Sequence, residues 1–113
     1  MDRRRGPRYR VAHPSIASFG EKGTYPVVIR EVGEYGLRLV CARRIPVDST
    51  AQVRLSFPGA TFQRTLRVVR CEKTRGGYLL AGEFTGSDEV APRPVQSYLD
   101  YVRRITRGAA AWH

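Results

Sequence analysis

Alternating apolar and polar positions predict short β-strands through the middle of the chain. The alternation runs through the segments YPVVIRE, GLRLVC, TAQVRLSF, TFQRTLRVVRC and YLLAGEF. Stretches rich in glycine or proline, such as FGEKGTYP, PGA and EKTRGG, supply turns between them. Half-polar strands joined by short turns favour an antiparallel barrel or sandwich over a parallel sheet. The residues expected to share the inner face are Tyr25, Val27, Ile29, Leu37, Leu39, Cys41, Val53, Leu55, Phe57, Phe62, Leu66, Val68, Tyr78, Leu80 and Phe84.

The period of the pattern changes to that of a helix near the end of the sequence. Pro94 suits the first turn of a helix and Gly108 a stop. The apolar stripe of this helix is expected to close an open end or face of the sheet, and it consists of Val95, Tyr98, Leu99, Val102 and Ile105. We therefore divide the chain into a basic arm (residues 1–10), a barrel (residues 11–88) and a C-terminal helix with its tail (residues 89–113).

Length and composition indicate one folded domain. The chain has 113 residues, of which 42% are hydrophobic, and this is enough for a modest core. No apolar stretch approaches the ~20 residues that span a bilayer. The basic start is not followed by the apolar run of a signal peptide, since Pro14 interrupts it. We expect a cytoplasmic protein that does not insert into a membrane.

The residue types that carry catalysis or bind metals are scarce. His13 and His113 are the two histidines, and no P-loop, nucleophile elbow or zinc-ligand pattern is present. Cys41 and Cys71 lie far apart without a C-x-x-C pattern, so free thiols are expected. The sequence indicates a binding protein, not an enzyme, with no metal and no cofactor.

Positive charge is the most pronounced feature of the composition. The twenty basic residues outnumber the ten acidic ones and give a net charge of +10, and all of the basic residues except Lys22 and Lys73 are arginines. The segment DRRRGPRYR concentrates them at the start. A planar guanidinium grips phosphate at two points and stacks on flat rings. An anionic partner is therefore expected, although codon bias in a GC-rich genome also explains an arginine excess that runs along the whole chain.

The basic start and the strand pattern together resemble the PilZ domain, a family of bacterial receptors for cyclic di-GMP. Arg4 and Arg8 fit the arginines of the family's R-x-x-x-R motif, and Arg3 is its usual preceding arginine. Gly82 and Phe84 in LAGEF resemble the end of the family's last strand. The resemblance implies a mainly β fold, a six-stranded antiparallel β-barrel with a C-terminal α-helix.

The second motif of the family, (D/N)-x-S-x-x-G, is only partly present. In EVGEYGLRL, Glu31 stands for the Asp or Asn, Gly33 for the Ser, and Gly36 is retained. Gly33 has no hydroxyl to donate, and Glu31 carries its carboxylate one methylene further out. Losing one ordinary hydrogen bond costs about 0.5–1.5 kcal/mol, which weakens binding without abolishing it.

The resemblance implies a site in which the arginine arm and this turn form two walls. Arginines can neutralise the phosphates and can bond or stack on guanine. An arm that wraps the ligand would also act as a switch. The expected ligand-binding residues are Arg3, Arg4, Arg5, Arg8, Glu31, Gly33 and Gly36.

Three functions remain open at this point. The first is a single-domain receptor and adaptor that relays cyclic di-GMP to a bacterial partner protein. The second is a degenerate PilZ adaptor that acts by protein contacts without the ligand. The third is a basic β-barrel that binds single-stranded nucleic acid, although the sequence contains none of the usual RNA-binding signatures. Its candidate stacking residues are Tyr9, Tyr25, Tyr35 and Phe62. The sequence does not predict an oligomeric state.

Overall fold

The structure is a computed structural model that describes residues 8–57, 60–85 and 98–105, apart from the side chains of Phe57 and Ala60. It contains six strands, a short 3-10 turn at Gly20–Lys22 and one α-helix, α1, which includes residues 98–105. The strands are β1 (Arg8–Ser18), β2 (Thr24–Gly33), β3 (Gly36–Cys41), β4 (Thr50–Phe57), β5 (Ala60–Thr74) and β6 (Gly77–Thr85).

The strands form a closed antiparallel barrel in the order β1-β2-β3-β6-β5-β4. Each neighbouring pair is antiparallel, and most pairs extend over much of the shorter strand. The exception is the seam between β1 and β4, where only Ala17 with Val53 and Ser18 with Gln52 are paired. The mainly β fold, the six-stranded closed barrel and the C-terminal helix are all confirmed.

The barrel interior contains the residues that the alternation predicts. Within the described side chains, the inward positions of β2 to β6 are buried or packed against the core. From α1, Tyr98, Leu99 and Val102 are also buried, which confirms that the helix closes the barrel with its apolar stripe. Ile105 differs from the prediction because it is 40% exposed, one turn beyond the last buried helical residue. Val95 lies outside the described residues.

Strand β1 is the one that the hydrophobic pattern does not identify. It begins at Arg8, so residues 8–10 of the proposed arm belong to the barrel sheet. Tyr9 and Val11 pack against the core, but the next two inward positions of the strand hold the polar residues His13 and Ser15. Pro14 is accommodated because β4 does not pair with this part of β1, and proline is tolerated where a strand has a free edge.

Helix α1 is attached to β1 by two polar contacts. The Tyr98 hydroxyl lies 2.7 Å from His13 Nδ1, and Arg103 Nε donates to the Tyr9 hydroxyl over 3.3 Å. Burial raises the pKa of Tyr98 to about 12, so its hydroxyl stays protonated at neutral pH. Beside this attachment, β1 and β4 diverge and leave a cleft of about 310 Å³ lined by His13, Pro14, Ser15, Ile29, Arg54, Ser56, Tyr98 and Tyr101. None of the helical segments that the structure describes is both long and apolar enough to traverse a lipid bilayer.

The burial of His13 predicts a pH dependence of stability. Burial lowers the pKa of His13, so the folded protein binds this proton less tightly than the unfolded chain, in which the pKa is about 6.5. Stability should therefore be retained above the unfolded pKa and fall as the pH drops through it. We expect the wild type to lose more free energy of unfolding than His13→Gln between about pH 7.5 and 5.5. Urea unfolding at several pH values measures this, and parallel pH curves for the two proteins would contradict it.

Candidate functional site

The pairing of β1 with β2 brings Arg8, the last residue of the first predicted motif, next to the second predicted motif. Arg8 is paired with Gly33, and Arg10 with Glu31, so the start of β1 lies beside the end of β2. Gly33 and Gly36 flank the turn between β2 and β3. The juxtaposition arises because β1 and β2 form an antiparallel hairpin, in which the first residue of one strand meets the last residue of the other.

Glu31 is the electrostatic centre of this region. Arg8 Nη1 donates to Glu31 Oε1 over 3.3 Å, and Arg38 Nε lies 3.7 Å from the same oxygen. The Glu31 side chain is 24% exposed, whereas those of Arg8 and Arg38 are 44% and 40% exposed. One carboxylate oxygen is thus shared by two guanidinium groups that remain accessible to solvent.

Arg10 completes a group of arginines on the outer surface. Its Cα is the cross-strand partner of the Glu31 Cα, and side chains directly opposite each other in an antiparallel pair share a face of the sheet. In the part of the chain that the structure describes, Arg10 has no ion-pair partner. We call Arg8, Arg10 and Arg38 the arginine cluster. With Glu31 as its only ion-paired carboxylate among the described residues, the cluster keeps a positive charge and suits an anionic ligand.

The sequence identified neither Arg10 nor Arg38 as a site residue, and of these two Arg38 forms an ion pair with Glu31. The alternation in GLRLVC places Arg38 outward, because Leu37 and Leu39 on either side are buried. Its position next to Glu31 depends on the pairing of β3 with β2, and this pairing contains a shift in register between Ile29 and Glu31. Such bulges cannot be located from a single sequence, so only the outward orientation was available as a signal.

Gly36 has a packing role that is independent of any ligand. A Cβ atom at this position would overlap the carbonyl oxygen of Gly82 on β6. The turn is also attached to β6 because the Phe84 backbone N–H donates to the Tyr35 carbonyl over 2.8 Å. Gly33, in contrast to the exposed turn residues Glu34 and Tyr35, is buried. The retained glycine of the second motif is therefore explained by the close approach of β3 and β6.

Four of the seven predicted site residues come together in the structure, namely Arg8, Glu31, Gly33 and Gly36. Arg3, Arg4 and Arg5 lie outside the described residues, so their place at the site stays a prediction. The described residues contain no group of three or more potential metal ligands. Cys41 and Cys71 are free thiols, as expected.

The chain matches a known protein family over most of its length. The PilZ domain model matches residues 2–101. The chain belongs to the PilZ family. The match includes the first motif, the whole barrel and the beginning of α1. No curated protein matches the sequence.

Solved PilZ structures share the fold at low sequence identity. The PilZ domain with c-di-GMP of YcgR from Escherichia coli is 14% identical, with a TM-score of 0.76 over 97% of this chain and 98% of that one. The MrkH–c-di-GMP complex of K. pneumonia is 18% identical, with a TM-score of 0.74 over 96% of this chain. YcgR from Escherichia coli in complex with c-di-GMP is 16% identical, with a TM-score of 0.72 over 96% of this chain. This chain spans 56% of the MrkH chain and 50% of the longer YcgR chain.

The packing at Gly36 predicts that even a methyl group is destabilising there. We expect Gly36→Ala to lower the free energy of unfolding by about 1–3 kcal/mol, because backbone atoms must shift to relieve the overlap with Gly82. Gly76→Ala is the matched control, since a Cβ at Gly76 meets nothing within 4 Å. Urea unfolding of both variants measures the difference, and equal stabilities would show that β3 and β6 are not in such close contact.

Proposed function

We propose that this chain is a cytoplasmic receptor and adaptor domain for cyclic di-GMP, which relays the second messenger to a bacterial partner protein. The observation that carries the proposal is the position of Arg8. It is the second arginine of R-x-x-x-R, is paired with Gly33 and contacts Glu31 of the second motif. Membership of the PilZ family and the fold shared with c-di-GMP complexes support the same ligand.

The chemistry of the region fits a ligand with two phosphates and two guanines. Arg8, Arg10 and Arg38 can form charge-assisted hydrogen bonds to phosphate, and a guanidinium can also bond or stack on guanine. We assign Arg3, Arg4 and Arg5 to the same ligand, because they immediately precede Arg8 in the sequence. Gly33 lies directly beside Arg8, Gly36 begins β3 after the adjoining turn, and Glu31 lies on the strand between those that carry Arg8 and Arg38.

The route to a partner protein runs through β1. Arg8 and Arg10 face outward from this strand, whereas Tyr9 and His13 on the same strand contact Arg103 and Tyr98 of α1. A ligand that shifts β1 would therefore act directly on the helix that closes the barrel.

No described residue of the site forms a catalytic or metal-binding constellation, and we propose binding without catalysis.

The degenerate adaptor is the second candidate. It is favoured by the departures at Glu31 and Gly33 and by the ion pair that already neutralises part of the charge on Arg8.

The nucleic-acid alternative is less well supported because most of its proposed stacking residues have internal contacts. Tyr9 is bonded to Arg103, Tyr25 lies against Arg43 and Phe62 packs on Tyr98, whereas the Tyr35 residue is 51% exposed.

Calorimetric titration of the purified protein with cyclic di-GMP tests the proposal. We expect saturable binding that weakens with added salt, since surface charges are screened. Arg8→Ala should lower the affinity at least about tenfold, because charge-assisted hydrogen bonds are lost. Arg70→Ala is the matched control: Arg70 is an exposed arginine on β5 with its own carboxylate partner, Glu72, at 3.1 Å. GTP should compete poorly.

The competing candidates give different results in the same experiment. No heat at high micromolar cyclic di-GMP would favour the degenerate adaptor. Equal losses for Arg8→Ala and Arg70→Ala would mean that binding depends on total charge and not on this site. A gel shift with a single-stranded oligonucleotide at moderate salt separates the nucleic-acid function from both.

A further inference from the structure

We propose that Glu31 acts as a built-in counter-ion that competes with the ligand phosphate for Arg8 and Arg38, and that Arg38 is an additional phosphate-binding residue released by this competition. The inference rests on the proposed function, because it concerns how the same site is regulated. Its basis is the shared oxygen: Glu31 Oε1 lies 3.3 Å from Arg8 Nη1 and 3.7 Å from Arg38 Nε.

A carboxylate and a phosphate use the same features of a guanidinium group. Both accept its N–H donors with a negatively charged oxygen, so one arginine N–H cannot be bonded fully to both. A phosphate that approaches Arg8 meets the negative charge of Glu31 within a few ångströms. The ligand must therefore either displace Glu31 or bind against its repulsion, and in each case the carboxylate lowers the affinity.

The Glu31 carboxylate and a ligand phosphate compete for Arg38 as well as for Arg8, because of the strand order. Arg38 lies on β3 and Arg8 on β1, with Glu31 on the strand between them. Neighbouring strands are about 4.8 Å apart, so the two arginine-bearing strands are separated by about 10 Å. Two guanidinium groups on either side of one anion can hold a group with several oxygens. A phosphate that replaces the carboxylate gains access to both.

The fold does not depend on the two ion pairs that Glu31 forms with Arg8 and Arg38. The strands β1, β2 and β3 are already joined by extended backbone pairing, and the inner face of β2 is held by Ile29 and Val32. Exposed ion pairs contribute little to stability. Removing the charge of Glu31 should therefore change anion affinity much more than folding.

The first experiment compares Glu31→Gln with the wild type in titrations with cyclic di-GMP and, separately, with inorganic pyrophosphate. Removing a repulsive charge at about 6 Å should tighten cyclic di-GMP binding about three- to tenfold at low salt, and less at high salt. Glu72→Gln is the matched control, because Glu72 is also an exposed carboxylate paired with an arginine, Arg70, and the change in net charge is identical. Its charge lies on β5, two strand spacings or about 10 Å from the strand that carries Arg38, which is about one Debye length, so the affinity of Glu72→Gln should stay within about twofold of the wild type.

The second experiment tests Arg38 in the Glu31→Gln background. Arg38→Ala should cancel most of the gain in affinity for both ligands, whereas Arg70→Ala should leave it unchanged. Pyrophosphate is included because its binding depends on the arginine cluster without any recognition of guanine. Thermal unfolding of every variant without ligand confirms that each is folded.

The outcomes distinguish this inference from the proposed function. If the wild type binds cyclic di-GMP and Glu31→Gln binds it equally or more weakly, the inference is wrong and the receptor function stands; weaker binding would further make Glu31 a direct ligand acceptor. If cyclic di-GMP binds none of the variants but Glu31→Gln gains pyrophosphate affinity that Arg38→Ala removes, the receptor function is wrong and the counter-ion role stands. If Glu31→Gln and Glu72→Gln behave alike with both ligands, the inference is overturned.

Discussion

The register between β1 and β2 is the constraint on which both the site and the barrel depend. It pairs Arg8 with Gly33 and Arg10 with Glu31. A shift by one residue would turn the two arginines toward the interior and expose Tyr9 and Val11, because successive side chains in a strand alternate between faces. The apolar residues on the inner face thus fix the register, and the register places the charges on the outer face.

This separation of faces allows the charge at position 31 to change while the barrel is kept. Glu31 points away from the core, whereas its neighbour Val32 is fully buried. Changes at Glu31 therefore alter the charge of the site without changing the packing. Gly36 is different, because a side chain there would meet the backbone of β6.

The sequence predicts the fold better than the geometry of the site. Five strands follow from simple alternation, because their inner positions are apolar. Strand β1 does not, since His13, Pro14 and Ser15 interrupt the apolar positions, and its identification depends on the family resemblance. The approach of Arg38 to Glu31 could not be predicted, because it is set by a bulge in β2 and by pairing between strands. The helical periodicity predicts the apolar face of α1, but it does not show that the barrel surface ends before Ile105.

Strand β1 also limits how a signal could leave the site. Its outward residues Arg8 and Arg10 belong to the arginine cluster, and its inward residues Tyr9 and His13 contact Arg103 and Tyr98 of α1. The part-buried contact between His13 and Tyr98 contributes on the order of 1 kcal/mol, within the range of about 1–3 kcal/mol that is typical of allosteric coupling. Altering this contact would therefore be sufficient for an ordinary allosteric response. Coupling from the arginine cluster to α1 would therefore require that a ligand moves β1 itself.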